Sequence, residues 1–306
     1  MQKYIPSLHF IAILTLCITA CSSYQIRTGN VDSLSGLQAM SSCTKCGLGG
    51  KAKTSKIREM ALKETALSIS AQAALASRAK LIDEDLTRQA RYLDSVFNFN
   101  SLVLEHNILP PVLVEGRNTL NLADAQTIRI SDRTYKVSKQ ARFITTPPNW
   151  RHYLWMDYKV PDYPNVSLLP KTKQERKLWA FYVARGWRNG IEQANVILEE
   201  SVARIKEDFT GMVLYRKLLA MNMVSPPFVS HTDLGVTGDE TEIHIDDRVL
   251  RITALPALNV NSDEWRAAVE KDEQSLEQFV NMEQLVQNAK VNITSNAWQP
   301  NIAPVN

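Results

Sequence analysis

From Ala52 to Leu109 the chain contains neither glycine nor proline, and that uninterrupted stretch constrains the fold more than any other feature. Within it Leu62, Ala66, Ile69, Ala73, Ala76, Leu86, Ala90, Leu93 and Phe97 recur at near-helical spacing, with charged residues between them. The pattern predicts one long amphipathic helix from about Ile57, broken near Asp83. Its alanines would let a neighbouring element approach closely. A second pattern opens after Pro170 with the capping box Thr172-Lys173-Gln174-Glu175, in which the first hydroxyl and the last carboxylate satisfy each other's backbone donors. It runs to about Met223 through Leu178, Tyr182, Ile191, Ala194, Leu198, Val202, Ile205, Phe209 and Met212, with Gly186 and Gly190 as candidate kinks and Pro226-Pro227 closing it.

Between and after these helices the period changes. Val112-Leu113-Val114, Thr127-Ile128-Arg129-Ile130 and Thr134-Tyr135-Lys136-Val137 are short, β-branched and bounded by turn formers, so Ser131-Asp132-Arg133 is expected to join the last two as a hairpin. Thr241 to Ile245 and Arg248 to Ile252 predict another hairpin across Asp246-Asp247. A final amphipathic helix is expected over roughly Asp263–Val286, followed by a disordered tail past Asn292. Runs of helix and strand, rather than strict alternation, give an α+β class: a helix-dominated single domain with long amphipathic helices and short antiparallel β-hairpins.

The N-terminus has a different logic. Lys3 supplies a basic start, Phe10 to Ala20 an uncharged apolar run, and Ile18-Thr19-Ala20-Cys21 looks like a bacterial lipobox. The run falls short of the roughly 20 apolar residues that cross a bilayer. Expected chemistry follows from the residues: diacylglycerol on the Cys21 sulfur, cleavage before Cys21, then acylation of the new amine. Each buried methylene contributes about 0.8 kcal/mol, so three chains anchor essentially irreversibly. Ser22 favours outer-membrane sorting, with the domain facing the periplasm. The expected organisation is therefore a removed signal at 1–20, a Ser- and Gly-rich lipidated tether at 21–54, a domain at 55–290 and a tail at 291–306. The covalent lipid is the one non-protein group expected.

Charge and cysteine use narrow the function. The 35 Lys and Arg nearly balance the 32 Asp and Glu, which excludes the basic signature of a nucleic-acid binder. Hydrophobic residues at 44% are those of a globular protein, and no second apolar stretch reaches membrane-spanning length. Cys17 leaves with the signal and Cys21 is used by lipid, leaving Cys43-Thr44-Lys45-Cys46. In an oxidising compartment the plain expectation is a local disulfide between Cys43 and Cys46. A redox site would want the pair opening a helix after a strand, and zinc would need further ligands. The histidines (His9, His106, His152, His231 and His244) show no metal-ligand spacing. His231-Thr232-Asp233 lacks a nucleophile motif and reads as turn chemistry leading into Gly235 and Gly238. Asp83 with Asp85, and Glu199 with Glu200, read as solvated helical faces. The sequence shows no catalytic set, so no enzyme activity is expected.

One stretch could bind. Residues 147–164 hold Trp150, Tyr153, Trp155, Tyr158 and Tyr163, punctuated by Pro147, Pro148, Pro161 and Pro164. Aromatics stack on sugars and dominate protein hot spots, so Trp150, Arg151, Tyr153 and Trp155 are the candidate interface. The alternative is that they fill a core beside the strands.

Several ordered strings resemble one family. Ile108 to Arg117 (ILPPVLVEGR), Asp132 to Lys136 (DRTYK), Pro147 to Trp155 (PPNWRHYLW) and Leu214 to Leu219 (LYRKLL) are similar to the DotC lipoproteins. So are Pro226-Pro227, His231 to Asp239 (HTDLGVTGD) and Arg248 to Thr253 (RVLRIT). These belong to type IVB (Dot/Icm) secretion machinery and its relatives in I-type conjugative plasmids. The resemblance covers roughly residues 57–266 and leaves Cys43 and Cys46 outside. It implies a non-enzymatic outer-membrane subunit that works with a DotD-like lipoprotein to place a DotH-like subunit in the outer membrane. A peptidoglycan-binding or cell-wall-modifying lipoprotein is the competing expectation, resting on the aromatic tract.

Overall fold

The computed structural model describes residues 30–42, 55–266, 278 and 281–289. The signal at 1–20, Cys21, Cys43, Cys46, the middle of the helix expected at 263–286 and the tail lie outside them. The α+β class holds: long helices accompany antiparallel β-ribbons, and the chain divides into two compact units.

The first unit is helical. It contains α1 (Leu34–Ala39), residues 56–81 of α2 (Lys56–Arg88), and residues 173–194 of a 48-residue helix that is α5 below (Lys173–Ala220). Residues 30–42 fall in the stretch expected to be tether, yet they are folded. Leu37 and Met40 are buried, and the Trp179 indole donates to the Leu37 carbonyl over 2.8 Å. The low-complexity flavour of that stretch hid a short helix that owes its order to Trp179 and its neighbours. The core joins Leu62, Ala66, Ile69 and Ala73 of α2 to Trp179, Val183, Trp187 and Ile191 of α5.

Gly186 and Gly190 do not kink α5, which is continuous. They are contact points instead. A Cβ at Gly190 would lie 2.1 Å from the Ala71 carbonyl oxygen, and one at Gly186 would lie 2.1 Å from the Ser70 hydroxyl. The expected close approach of the alanine-rich helix is thus completed by glycines opposite. The capping box is present: Glu175 N donates to Thr172 Oγ1 at 3.1 Å, while the Glu175 carboxylate accepts from Lys171 N and Thr172 N. Arg58 adds two bonds to that carboxylate, at 2.7 and 3.0 Å. Burial pushes the Glu175 carboxyl up, but the Arg58 hydrogen bonds, the Lys171 and Thr172 amides and the Arg58 charge prevail and hold its pKa at about 2.

The second unit holds α2 from residue 82, then α3 (Ala90–Val96), so the break falls at Gln89 rather than near Asp83. Strand β1 (Ile108–Leu109) pairs with β4 (Arg142–Phe143), and between them β2 (Val112–Asp124) pairs with β3 (Thr127–Lys139). Short helix α4 (Trp150–Leu154) precedes α5, and β5 (Phe228–Gly238) pairs with β6 (Ile243–Ala254). Residues 281–288 are helical, within the last expected helix, but Ser262–Glu264 is a 3-10 turn where that helix was expected to begin.

Both expected hairpins are misplaced in the sequence reading. Ser131-Asp132-Arg133 lies inside β3, and the turn is Ala125-Gln126, closed by Asp124 Oδ1 accepting from Gln126 N. Asp246-Asp247 lies inside β6, where Asp246 takes a left-handed φ of 57° at an irregular register. Its turn is Asp239 to Glu242, with Asp239 Oδ1 accepting from Thr241 N and Glu242 N. His231-Thr232-Asp233 accordingly sits in strand, opposite Leu250, Val249 and Arg248. Polar residues read as turns because strands usually bury one face. Beyond their roots these strands are exposed on both.

Candidate protein-interaction surface

The aromatic tract is divided by its packing. Asn149 caps α4, accepting from Arg151 N while His152 Nδ1 accepts from Asn149 N. That turn drives Trp150 inward, fully buried, with its indole N–H donating to Asp94 Oδ1 at 2.6 Å. Arg151 lies over the Trp150 ring at 4.3 Å and pairs with Asp94. The Tyr153 ring stacks on Phe99, centroids 5.7 Å apart, and its hydroxyl donates to Asp208 Oδ2 at 2.9 Å. Burial raises the Tyr153 pKa, and the Asp208 carboxylate raises it further. Trp155 is 47% exposed. Helical geometry therefore separates the four candidates: Trp150 is core, Tyr153 is half-buried, and Arg151 and Trp155 reach solvent. Farther along, Tyr158, Val160 and Tyr163 are exposed. A shallow groove of about 530 Å³ lies between Pro161, Asp162, Pro164 and the α2 residues Glu64, Thr65, Ser68, Ile69 and Gln72.

A larger apolar surface lies on the ribbons. Strand β2 starts buried at Val112 and Leu113, then emerges until Leu120 is 71% exposed. Leu120 stands opposite Ile130 and Leu122 opposite Ile128, which places the four on one face. All four are exposed. The outer half of β5–β6 repeats the arrangement with Val236, Ile243 and Ile245, each more than two-thirds exposed. Among the described residues each ribbon has two strands, and none of those residues pairs with either outer edge. A contiguous aliphatic face beside open edges is the usual mark of a protein-binding surface.

The root of β2–β3 is fixed in place. Gly211 of α5 leaves room for it: a Cβ there would lie 2.5 Å from Val112 Cγ1 and 2.7 Å from the Leu113 carbonyl oxygen. At the other strand Lys139 Nζ donates to both oxygens of Asp208, at 2.6 and 2.7 Å. Asp208 thus gathers Lys139 and Tyr153 on α5. Beneath lie the edge-to-face rings Phe97, Phe99 and Phe209. Next to the root, His106 and Asn107 are consecutive left-handed residues (φ 59° and 55°), and the Asn107 carbonyl accepts from Ile144 N.

Sequence reasoning missed the ribbons because alternation of Leu, Asn, Leu and of Ile, Arg, Ile signals a strand with one buried face. Here no described residue covers that face. The missed signal was length: thirteen residues on either side of Ala125-Gln126 make a ribbon longer than the unit needs for its core. Among the described residues no three of His, Cys, Asp or Glu converge on a common point, and no helix is long and apolar enough to cross a membrane.

Residues 56–267, about two-thirds of the chain, match the family described as "Type IV secretory system, conjugal DNA-protein transfer" (T4SS_TraI). The chain belongs to this family. The matched segment takes in both ribbons, Trp150, Trp155 and the Lys139–Asp208 anchor. This is a type IV secretion, conjugation-related component, a class whose members work beside other secretion subunits. Comparison with curated proteins gives no match.

Proposed function

We propose that this type IV secretion component is a DotC-like outer-membrane lipoprotein. In this reading it is a structural subunit of the core complex of a type IVB secretion or conjugation system, anchored by lipid on Cys21. Together with a DotD-like lipoprotein it helps place a DotH-like subunit in the outer membrane, and its action is binding rather than catalysis. The observation that carries the reading is the pair of unpartnered aliphatic ribbons in a chain of this family. Surface of that kind is costly to leave in water and is retained where another protein covers it. The lipobox and the strings that resemble DotC support the compartment and partners named in this reading.

The test has two parts. Labelled palmitate should enter the full chain and not Cys21→Ser, and mild-detergent purification should bring down DotD-like and DotH-like subunits. Palmitate retained in Cys21→Ser would remove the anchor from the proposal; purification without either subunit would remove the partners.

The exposed Trp155 favours a second reading, stacking on a peptidoglycan sugar. Sedimentation with purified sacculi that is lost in Trp155→Ala, without loss of secretion subunits, would favour it.

A further inference from the structure

The two ribbons differ in charge. From Val112 to Lys139 there are five basic side chains against three acidic, and Lys139 is already engaged by Asp208. From Phe228 to Ala254 there are six acidic against two basic. One of those basic groups, Arg248, pairs with Asp233 at 3.4 Å, so the outer half from Leu234 to Asp247 carries five carboxylates and no Lys or Arg. Both ribbons belong to the second unit, yet they form separate two-stranded sheets within one chain.

We propose that β2–β3 of one copy docks against β5–β6 of a second copy of this chain, edge to edge, so that the aliphatic faces around Leu120 and Val236 become one continuous surface.

Three considerations select that occupant. An isolated two-stranded ribbon is marginal in water, and adding strands along an open edge satisfies backbone groups while enlarging a shared apolar face. Pairing like with like is disfavoured, most strongly for β5–β6, where five carboxylates would meet five more. Pairing the basic ribbon with the acidic one is attractive and fixes the register. Because every copy offers one ribbon of each kind, the contact closes either as a reciprocal dimer or head-to-tail as a ring. This inference extends the proposed function without depending on it: self-association can be measured with no other subunit present.

The test is sedimentation velocity of the full chain in mild detergent, over a concentration series at low and at high salt. Wild type should self-associate, more weakly as salt rises. Glu240→Lys with Glu242→Lys makes β5–β6 less acidic, and Arg129→Glu with Arg133→Glu makes β2–β3 acidic. Each pair alone should weaken association about tenfold or more, while leaving the melting curve in place. Mixing the two variants should restore association, because the unchanged basic β2–β3 of one variant can face the unchanged acidic β5–β6 of the other. Restoration also excludes misfolding as the cause of the loss. A wild type that sediments as a monomer throughout would overturn the proposal. So would reversals that leave association unchanged, or mixing that restores nothing; a heterologous partner would then be the occupant of the ribbon edges.

Discussion

Leu113 and Leu120 lie on the same strand and meet opposite fates. Leu113 is buried beside Tyr215 and Leu218, while Leu120 stands in solvent with Leu122, Ile128 and Ile130. The root of the ribbon belongs to the fold and its outer half does not. What differs is what lies opposite. Gly211 and the Lys139–Asp208 pair seat the root on α5, whereas no described residue covers the outer face. Apolar residues thus do two jobs in this chain, and burial tells them apart where composition cannot.

The comparison predicts separable effects on stability and on binding. The largest stability effect should come from Trp150→Ala, which empties a fully buried site and removes the indole's hydrogen bond to Asp94. A loss of about 3–5 kcal/mol is expected in denaturant unfolding. Trp155→Ala, in the same tract but half-exposed, should change stability by less than about 0.5 kcal/mol. Equal losses from the two would mean that burial does not divide the tract.

Next in size is Glu175. Its pKa in the fold, about 2, lies below the ordinary carboxylate value of 4.5. The stabilisation is therefore fully present above pH 4.5 and disappears as pH falls towards 2. Glu175→Gln should cost on the order of 2 kcal/mol at neutral pH. Its stability should converge on wild type as the medium is acidified through that window. A gap that stays constant with pH would show that the Arg58 pair contributes nothing through charge.

Gly190→Ala is a test of sign. In an exposed helix the change gains about 1 kcal/mol from propensity. Here the new Cβ would meet the Ala71 carbonyl oxygen at 2.1 Å. Overpacking of about 1–3 kcal/mol should outweigh the gain and lower the melting temperature. A rise in melting temperature would mean that the helices separate at little cost.

The same residues show what the sequence could and could not reveal. The long helices were legible because Leu62, Ala66 and Ile69 repeat with helical period and Thr172 with Glu175 marks a start. The role of Gly186 and Gly190 was not: a glycine in a helix reads as a kink until the opposing Ser70 and Ala71 are known. β3 and β6 were each read as two strands about a turn, because Ser131-Asp132-Arg133 and Asp246-Asp247 have turn chemistry, and β5 was not read as a strand because His231-Thr232-Asp233 has it too. Leu37 and Met40 were hidden in polar sequence, since their order comes from distant contacts such as that with Trp179. In the aromatic tract, residue type pointed to importance but not to side. The capping turn at Asn149 sends Trp150 inward and leaves Trp155 outside.

The smallest expected effect on stability is also the most decisive for function. Leu122→Thr with Ile128→Thr, and Val236→Thr with Ile245→Thr, place β-branched residues in the strands while replacing two aliphatic side chains on each face. Each pair should shift the unfolding free energy by no more than about 0.5 kcal/mol. The measurement is mild-detergent purification of the full chain carrying all four changes, with the secretion subunits that co-purify quantified against wild type and the melting curve recorded alongside. The account predicts an unchanged melting curve and loss of the co-purifying subunits. Retention of those subunits at wild-type level, with both ribbon faces made more polar and the fold intact, would contradict it.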